Sequence, residues 1–150
     1  MKSIRMLATA LALAVPATAM AAGPIVVHRD PGCGCCEKWA AQVRAEFKRQ
    51  MRMVDDANRA TLSARYGIPA QFVSCHTAIV DGMAFEGHVP IAEMKRVLAQ
   101  RPRGVAGLAV AGMPIGSAGM EVPGTAPQAY SVMAFGPAGQ KVYSRRTGAR

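Results

Sequence analysis

The sequence predicts an α/β fold on a mixed sheet, in the order β-α-β-α-β-β-α, followed by a long Gly-rich loop and a C-terminal hairpin. Three observations carry this. Short β-branched runs alternate with segments whose apolar residues recur every three or four positions. An Asp81-Gly82 pair separates two apolar runs, the mark of a two-residue hairpin turn. Three of the four cysteines, Cys33, Cys35 and Cys36, fall between the first strand-like run and the first helical segment.

Ile25-Val26-Val27 reads as a strand ending near His28, and Asp30-Pro31-Gly32 as a turn. Cys36, Trp39, Ala40, Val43, Phe47 and Met51 then trace one helical face, with Lys38, Arg44, Lys48 and Arg49 mostly opposite. Met51 to Val54 also reads as a second short strand. Asn58 suits the cap of a helix running to Tyr66, with Gly67 as its stop. Thr77 to Val80 and Met83 to Phe85 flank the hairpin turn. Pro90 suits the first turn of a helix through Leu98, with Ile91, Met94, Val97 and Leu98 on its apolar face and Pro102 beyond its end. Gly104 to Pro127 has no period and little charge, so it reads as a loop, long enough to be functional. Tyr130 to Phe135 and Lys141 to Ser144 form two short strands around Gly136-Pro137-Ala138-Gly139. No internal repeat or domain linker interrupts the pattern.

The N-terminus has a different character. Lys2 and Arg5 precede an apolar stretch from Met6 to Val15, and Ala19-Met20-Ala21 is a cleavage-site pattern. About 20 apolar residues are needed to span a bilayer, and this stretch is half that length. Residues 1–21 are therefore read as a signal peptide and 22–150 as the mature domain. The expected location is the periplasm, with no membrane contact after cleavage. The chain of 150 residues carries 18 Lys+Arg against 9 Asp+Glu, a net charge of +9. The basic residues are scattered and aromatics make up only 5%, so a solvated basic surface is expected rather than a nucleic-acid partner. A composition that is 51% hydrophobic and 18% charged excludes a disordered chain.

All four cysteines, Cys33, Cys35, Cys36 and Cys75, lie after the leader. Three within four residues cannot staple distant loops together, so a purely structural disulfide framework is disfavoured. Cys33 and Cys36 have C-x-x-C redox spacing. A helix N-terminus, through its free N–H groups and dipole, favours their thiolates. A cysteine cluster after the first strand is where thioredoxin-like folds place a redox site. In that topology Cys75-His76, at the start of the hairpin, faces the cluster. The same sulfurs can hold a metal. Thiolates select Cu(I), Zn(II) or iron–sulfur clusters. Structural zinc usually has two separated ligand pairs, and the spacings do not match the familiar iron–sulfur runs. Crowded, bridging sulfurs favour several Cu(I) ions sharing ligands, with Zn as the lesser alternative. Supporting ligand candidates are His76, His88 and, in the Gly-rich loop, Met113 and Met120, whose thioethers have no helix face to fill. His28 reads as structural. Met51, Met53, Met83, Met94 and Met133 read as core, as does Trp39.

Cys33-Gly34-Cys35-Cys36 with Trp39, Ser74-Cys75-His76-Thr77-Ala78, Glu86-Gly87-His88-Val89-Pro90 and the Gly112 to Met120 stretch together resemble the CopG-type periplasmic proteins, a family found with bacterial copper-resistance systems. The resemblance runs from about Ile25 to Tyr143. It implies a thioredoxin-like domain, copper bound by Cys33, Cys35, Cys36 and Cys75, and a role in copper tolerance that extends to copper redox chemistry. Met83-Ala84 stands where an aromatic is common in the family, and Ala118 where Pro is common. Two functions compete: a Cu(I)-binding protein that sequesters copper or passes it to another periplasmic copper-handling protein, and a thiol–disulfide or copper oxidoreductase using Cys33 and Cys36.

Overall fold

The computed structural model describes residues 23–147; the expected signal peptide lies outside them. One seven-stranded mixed sheet has the order β2-β1-β3-β4-β5-β6-β7. The chain runs β1 (Ile25–Arg29), α1 (Gly34–Phe47), β2 (Met51–Asp55), α2 (Ala60–Tyr66), a 3-10 turn (Ala70–Phe72), β3 (His76–Val80), β4 (Met83–Glu86), α3 (Ile91–Gln100), β5 (Gly107–Ala109), β6 (Tyr130–Phe135) and β7 (Lys141–Arg146). β2 is parallel to β1 and β5 is parallel to β4, while the other neighbours are antiparallel. Among the described residues, no helix is long and apolar enough to cross a membrane.

The helical face expected from Cys36 is buried through Cys36, Trp39, Ala40 and Val43. Met51, the last residue on that expected face, belongs instead to β2, because Lys48 adopts a left-handed conformation and ends α1. Asn58 stands just outside α2, where its side chain accepts the Ala60 N–H at 3.3 Å. Pro90 precedes α3 as its cap instead of lying in its first turn. Its fixed φ suits either place, and its carbonyl still accepts the N–H groups of Glu93 and Met94.

Trp39 and Val43 of α1, Met94 and Val97 of α3, and Ile25, Val27, Ala78, Phe85, Leu108 and Val132 of the sheet form the main core. Ile68 and Phe72 cover the other face with Ala84, Ala109 and Phe135. The central strands are thus buried on both sides.

The stretch from Gly104 to Pro127, expected to be loop throughout, contains β5. Gly107 explains why the strand is made of small residues. A Cβ there would lie 2.0 Å from the Ala84 carbonyl oxygen and 2.5 Å from the Phe135 ring. Only glycine lets β5 slot between β4 and β6, and a Gly-Leu-Ala triplet carries no strand signal of its own. The hairpin beyond the loop is as expected, with β7 continuing to Arg146.

Candidate metal centre

β1 and β3 pair antiparallel with Arg29 opposite His76. Cys75 therefore stands beyond the end of β1, where the cysteine-rich turn begins. The Asp30 N–H donates to the Cys75 carbonyl at 2.9 Å, which fixes the two segments together. Cys33 caps α1: its sulfur accepts the Cys36 N–H at 3.3 Å. Cys33 and Cys36 form a disulfide, with Cα atoms 5.3 Å apart, while Cys35 and Cys75 are free thiols. Cys35 Sγ lies 3.4 Å from Cys33 Sγ and 4.0 Å from Cys75 Sγ. All four sulfurs, separated by up to forty-two residues of chain, fall within 4.8 Å of one another.

Ser74 holds Cys75 in place. Its N–H donates to buried Glu86 at 2.6 Å, and its hydroxyl donates to the Gly112 carbonyl at 2.8 Å. Its carbonyl accepts from Arg59, whose guanidinium also pairs with Asp30. Glu86 accepts a further bond from Thr77 Oγ1 at 2.5 Å. Burial pushes the Glu86 carboxyl up to about 7, against the pull of the Thr77 and Ser74 hydrogen bonds and of Arg59.

Two imidazoles face the Cys75 sulfur, His88 Nε2 at 3.3 Å and His76 Nδ1 at 3.4 Å. Cys75, His76 and His88 form a second group of clustered ligand atoms that shares Cys75 with the first. His88 Nδ1 lies 2.8 Å from the Ala118 carbonyl. A carbonyl only accepts, so Nδ1 carries the proton and the Nε2 lone pair faces the sulfur. This is the arrangement in which a backbone carbonyl orients a ligating imidazole. His76 is fully buried between the rings of Trp39 and His88, with centroids 4.5 and 5.0 Å away, and its Nε2 has no partner among the described residues. Burial, then the neighbouring His88 and Arg59, push its pKa down to about 3. Burial lowers His88 as well. Both rings are therefore neutral, the form that binds metal ions. Burial, reinforced by Cys35, pushes the Cys75 thiol up to about 12. A metal ion that takes this sulfur as thiolate must displace its proton.

The loop after β5 closes over the cluster. Met113 is 52% exposed, with its sulfur 3.9 Å from Cys35 Sγ. Met120 has a different position from Met113: its backbone closes a turn, donating to Ser117 at 2.8 Å and accepting from Gly116 at 2.9 Å. Gly119 has φ +80°, and a Cβ on it would lie 2.6 Å from the Trp39 nitrogen. The loop thus rests directly on the backbone of α1. Trp39, read as core alone, also donates its indole N–H to the Val89 carbonyl at 3.0 Å beside His88. His28 bonds Asp56 at 3.2 Å, away from the sulfurs, as expected of a structural histidine.

Ser74, Glu86, Arg59 and Ala118 support the centre, although the sequence marks none of them as a site residue: Ser74 and Glu86 only accompany Cys75 and His88 in their motifs, and Ala118 acts through its backbone carbonyl. Glu86 offers the clearest signal, a carboxylate closing an apolar strand next to Gly87-His88. The assembled groups are two free thiols, a disulfide, neutral imidazoles and a thioether. They can hold soft metal ions or cycle between dithiol and disulfide.

The family model described as "Protein of unknown function, DUF411" matches residues 72–120, which include Cys75, His76, His88, Met113 and Met120. No curated protein matches the sequence significantly. Two solved structures, both named as copper resistance protein CopG, are similar to the chain over nearly their whole length. Form 2 has a TM-score of 0.73 and 35% identity, covering 82% of this chain and 97% of that one. Form 1 has a TM-score of 0.72 and 34% identity, covering 85% and 100%. With about a third of the aligned residues identical, more than four fifths of this chain covered and nearly all of each solved chain matched, the chain belongs to the CopG family.

Proposed function

We propose that the protein is a periplasmic Cu(I)-binding protein in which Cys33, Cys35, Cys36 and Cys75, when reduced, share several Cu(I) ions as cargo. The observation that carries this is the convergence of four sulfurs within 4.8 Å of one another, three of them supplied by the four-residue stretch from Cys33 to Cys36, a spacing that favours thiolates bridging several ions over a single tetrahedral site. Bridging thiolates share their charge among the ions, and the N-terminus of α1 offsets part of it. His88, with its Nε2 lone pair on Cys75, completes the shell, with His76 beside it. Met113 adds a thioether on the solvent side, and Met120 holds the turn that carries the loop. The copper-resistance role of the relatives supports sequestration or transfer of copper, to another periplasmic copper-handling protein in the second case.

The fold reading that goes with this is thioredoxin-like, with residues 22–150 as the mature domain and 1–21 as the signal peptide. The sheet order β2-β1-β3-β4 supports it, as does the cluster between β1 and α1. The test is anaerobic Cu(I) titration of the reduced protein against a competing chelator. Tight uptake of more than one ion per chain is the expected result, and failure to compete with the chelator refutes it.

A second reading has its own support. Cys33 and Cys36 are paired while Cys35 and Cys75 are free. In this reading the pair cycles between dithiol and disulfide, and oxidation withdraws two of the copper-binding sulfurs.

A further inference from the structure

The four sulfurs form a chain of near contacts, and only its first link is a bond. Cys36 is bonded to Cys33. Cys33 Sγ is 3.4 Å from Cys35 Sγ, and Cys35 Sγ is 4.0 Å from Cys75 Sγ. Cys75 Sγ ends against His88 Nε2 at 3.3 Å. Thiol–disulfide exchange needs a thiol sulfur in contact with a disulfide sulfur, and both the attacking and the resolving thiol stand in sequence here.

We propose that the disulfide migrates within the protein, from Cys33–Cys36 to Cys35–Cys75, with Cys35 as the relay. The first step forms the Cys35–Cys33 bond and breaks Cys33–Cys36. The electron pair of the broken bond goes to Cys36 Sγ, which takes up the proton Cys35 has lost. Gly34 between the two cysteines stands in open space, with no atom of the described residues within 4 Å of where a Cβ would be, so the backbone there has room to shift as the short ring closes. The second step forms Cys75–Cys35 and breaks Cys35–Cys33. The Cys75 proton passes to the His88 Nε2 lone pair and from there to the released Cys33 sulfur. Start and end each hold one disulfide and two thiols, so no oxidant or reductant is consumed. The two forms present different free sulfurs, Cys35 and Cys75 in one, Cys33 and Cys36 in the other. The migration extends the dithiol reading of the site but needs no bound metal. It is tested on copper-free protein, so its failure and failure of the copper reading are separate results.

The positions of lysine and arginine provide the assay. Cleavage after Arg29 and Lys38 leaves Cys33, Cys35 and Cys36 on one peptide, residues 30–38, and cleavage after Arg65 and Lys95 leaves Cys75 on another, residues 66–95. The reduced protein, stripped of copper with a chelator, is oxidised anaerobically with one equivalent of diamide. It is then quenched in acid at intervals from seconds to hours, blocked with N-ethylmaleimide, digested with trypsin and mapped by mass spectrometry. The looped peptide 30–38 should decline while the cross-linked pair 30–38/66–95 grows, with two blocked thiols per chain throughout. In Cys35→Ser the cross-link should be lost. Wild type that keeps only the looped peptide, with Cys35 and Cys75 blocked, overturns the proposal without reference to any variant. A cross-link that does not grow as the loop declines, or that persists in Cys35→Ser, overturns the relay through Cys35.

Discussion

Gly119→Ala tests whether the loop works on the metal centre through His88. At φ +80°, an alanine carries a strain of about 1–2 kcal/mol, as any L-residue does in the left-handed region. Its Cβ would also stand 2.6 Å from the Trp39 nitrogen and 2.9 Å from its Cα. Trp39 cannot yield, since it is fully buried in α1 and tied to Val89 by its indole. The loop must lift instead, and the adjacent Ala118 carbonyl leaves His88 Nδ1. A hydrogen bond of this kind contributes about 1 kcal/mol. If copper depends on the orientation it provides, affinity should fall about fivefold, since about 1.4 kcal/mol is tenfold. Gly124→Ala is the control. It has a similar φ of +75° but no atom of the described residues near the new methyl, so it carries the strain without the collision. The assay is anaerobic Cu(I) competition titration, with the His88 tautomer followed by nitrogen NMR. Unchanged affinity in Gly119→Ala with a displaced tautomer would sever the loop from the centre. An equal loss in Gly124→Ala would attribute the effect to general destabilisation.

Glu86 gives a prediction in pH. Unfolded, its carboxyl titrates near 4.5; folded, near 7, so between these values the folded protein holds a proton that the unfolded chain has released. Its contribution is therefore most favourable below pH 4.5 and is lost as pH rises to 7, by about 3 kcal/mol in all. Urea denaturation of copper-free wild type and Glu86→Gln at several pH values isolates this part, and parallel pH profiles would refute it. Changing Met113 to Leu keeps the volume but removes the thioether 3.9 Å from Cys35. It should speed copper release to a chelator while leaving the melting temperature in place, whereas Met120→Leu alone should do neither. Identical release rates for all three proteins would make Met113 a surface residue and nothing more. Trp39→Phe should destabilise the fold by about 1–3 kcal/mol, since it removes the buried Val89 bond and part of the ring that covers His76. Thermal denaturation measures this.

What the sequence revealed depends on how local each signal was. The apolar face of α1, the Asp81-Gly82 turn and the C-x-C-C cluster at a strand-to-helix junction are short-range patterns, and the structure has all three. β5 left no trace, because a strand wedged between two others at Gly107 needs small side chains rather than β-branched ones. Met113 and Met120 were equivalent as loop residues. Only the path of the loop, set by the Ser74–Gly112 and His88–Ala118 bonds, brings one of them to Cys35. Arg59 looked like one more surface charge on a basic chain. Its role comes from Asp30 and Ser74, residues twenty-nine and fifteen positions away.

The copper count of Cys75→Ser tests the central claim most directly. Cys75 is forty residues from Cys35 in sequence, and its sulfur joins the others only through the pairing of β1 with β3 and the Asp30 hydrogen bond. Native mass spectrometry of reduced, anaerobically loaded protein should find several copper ions bound to wild type and fewer to Cys75→Ser, since a bridging sulfur holds more than one ion. A single copper in wild type, or the same count in both proteins, would contradict a shared four-cysteine site.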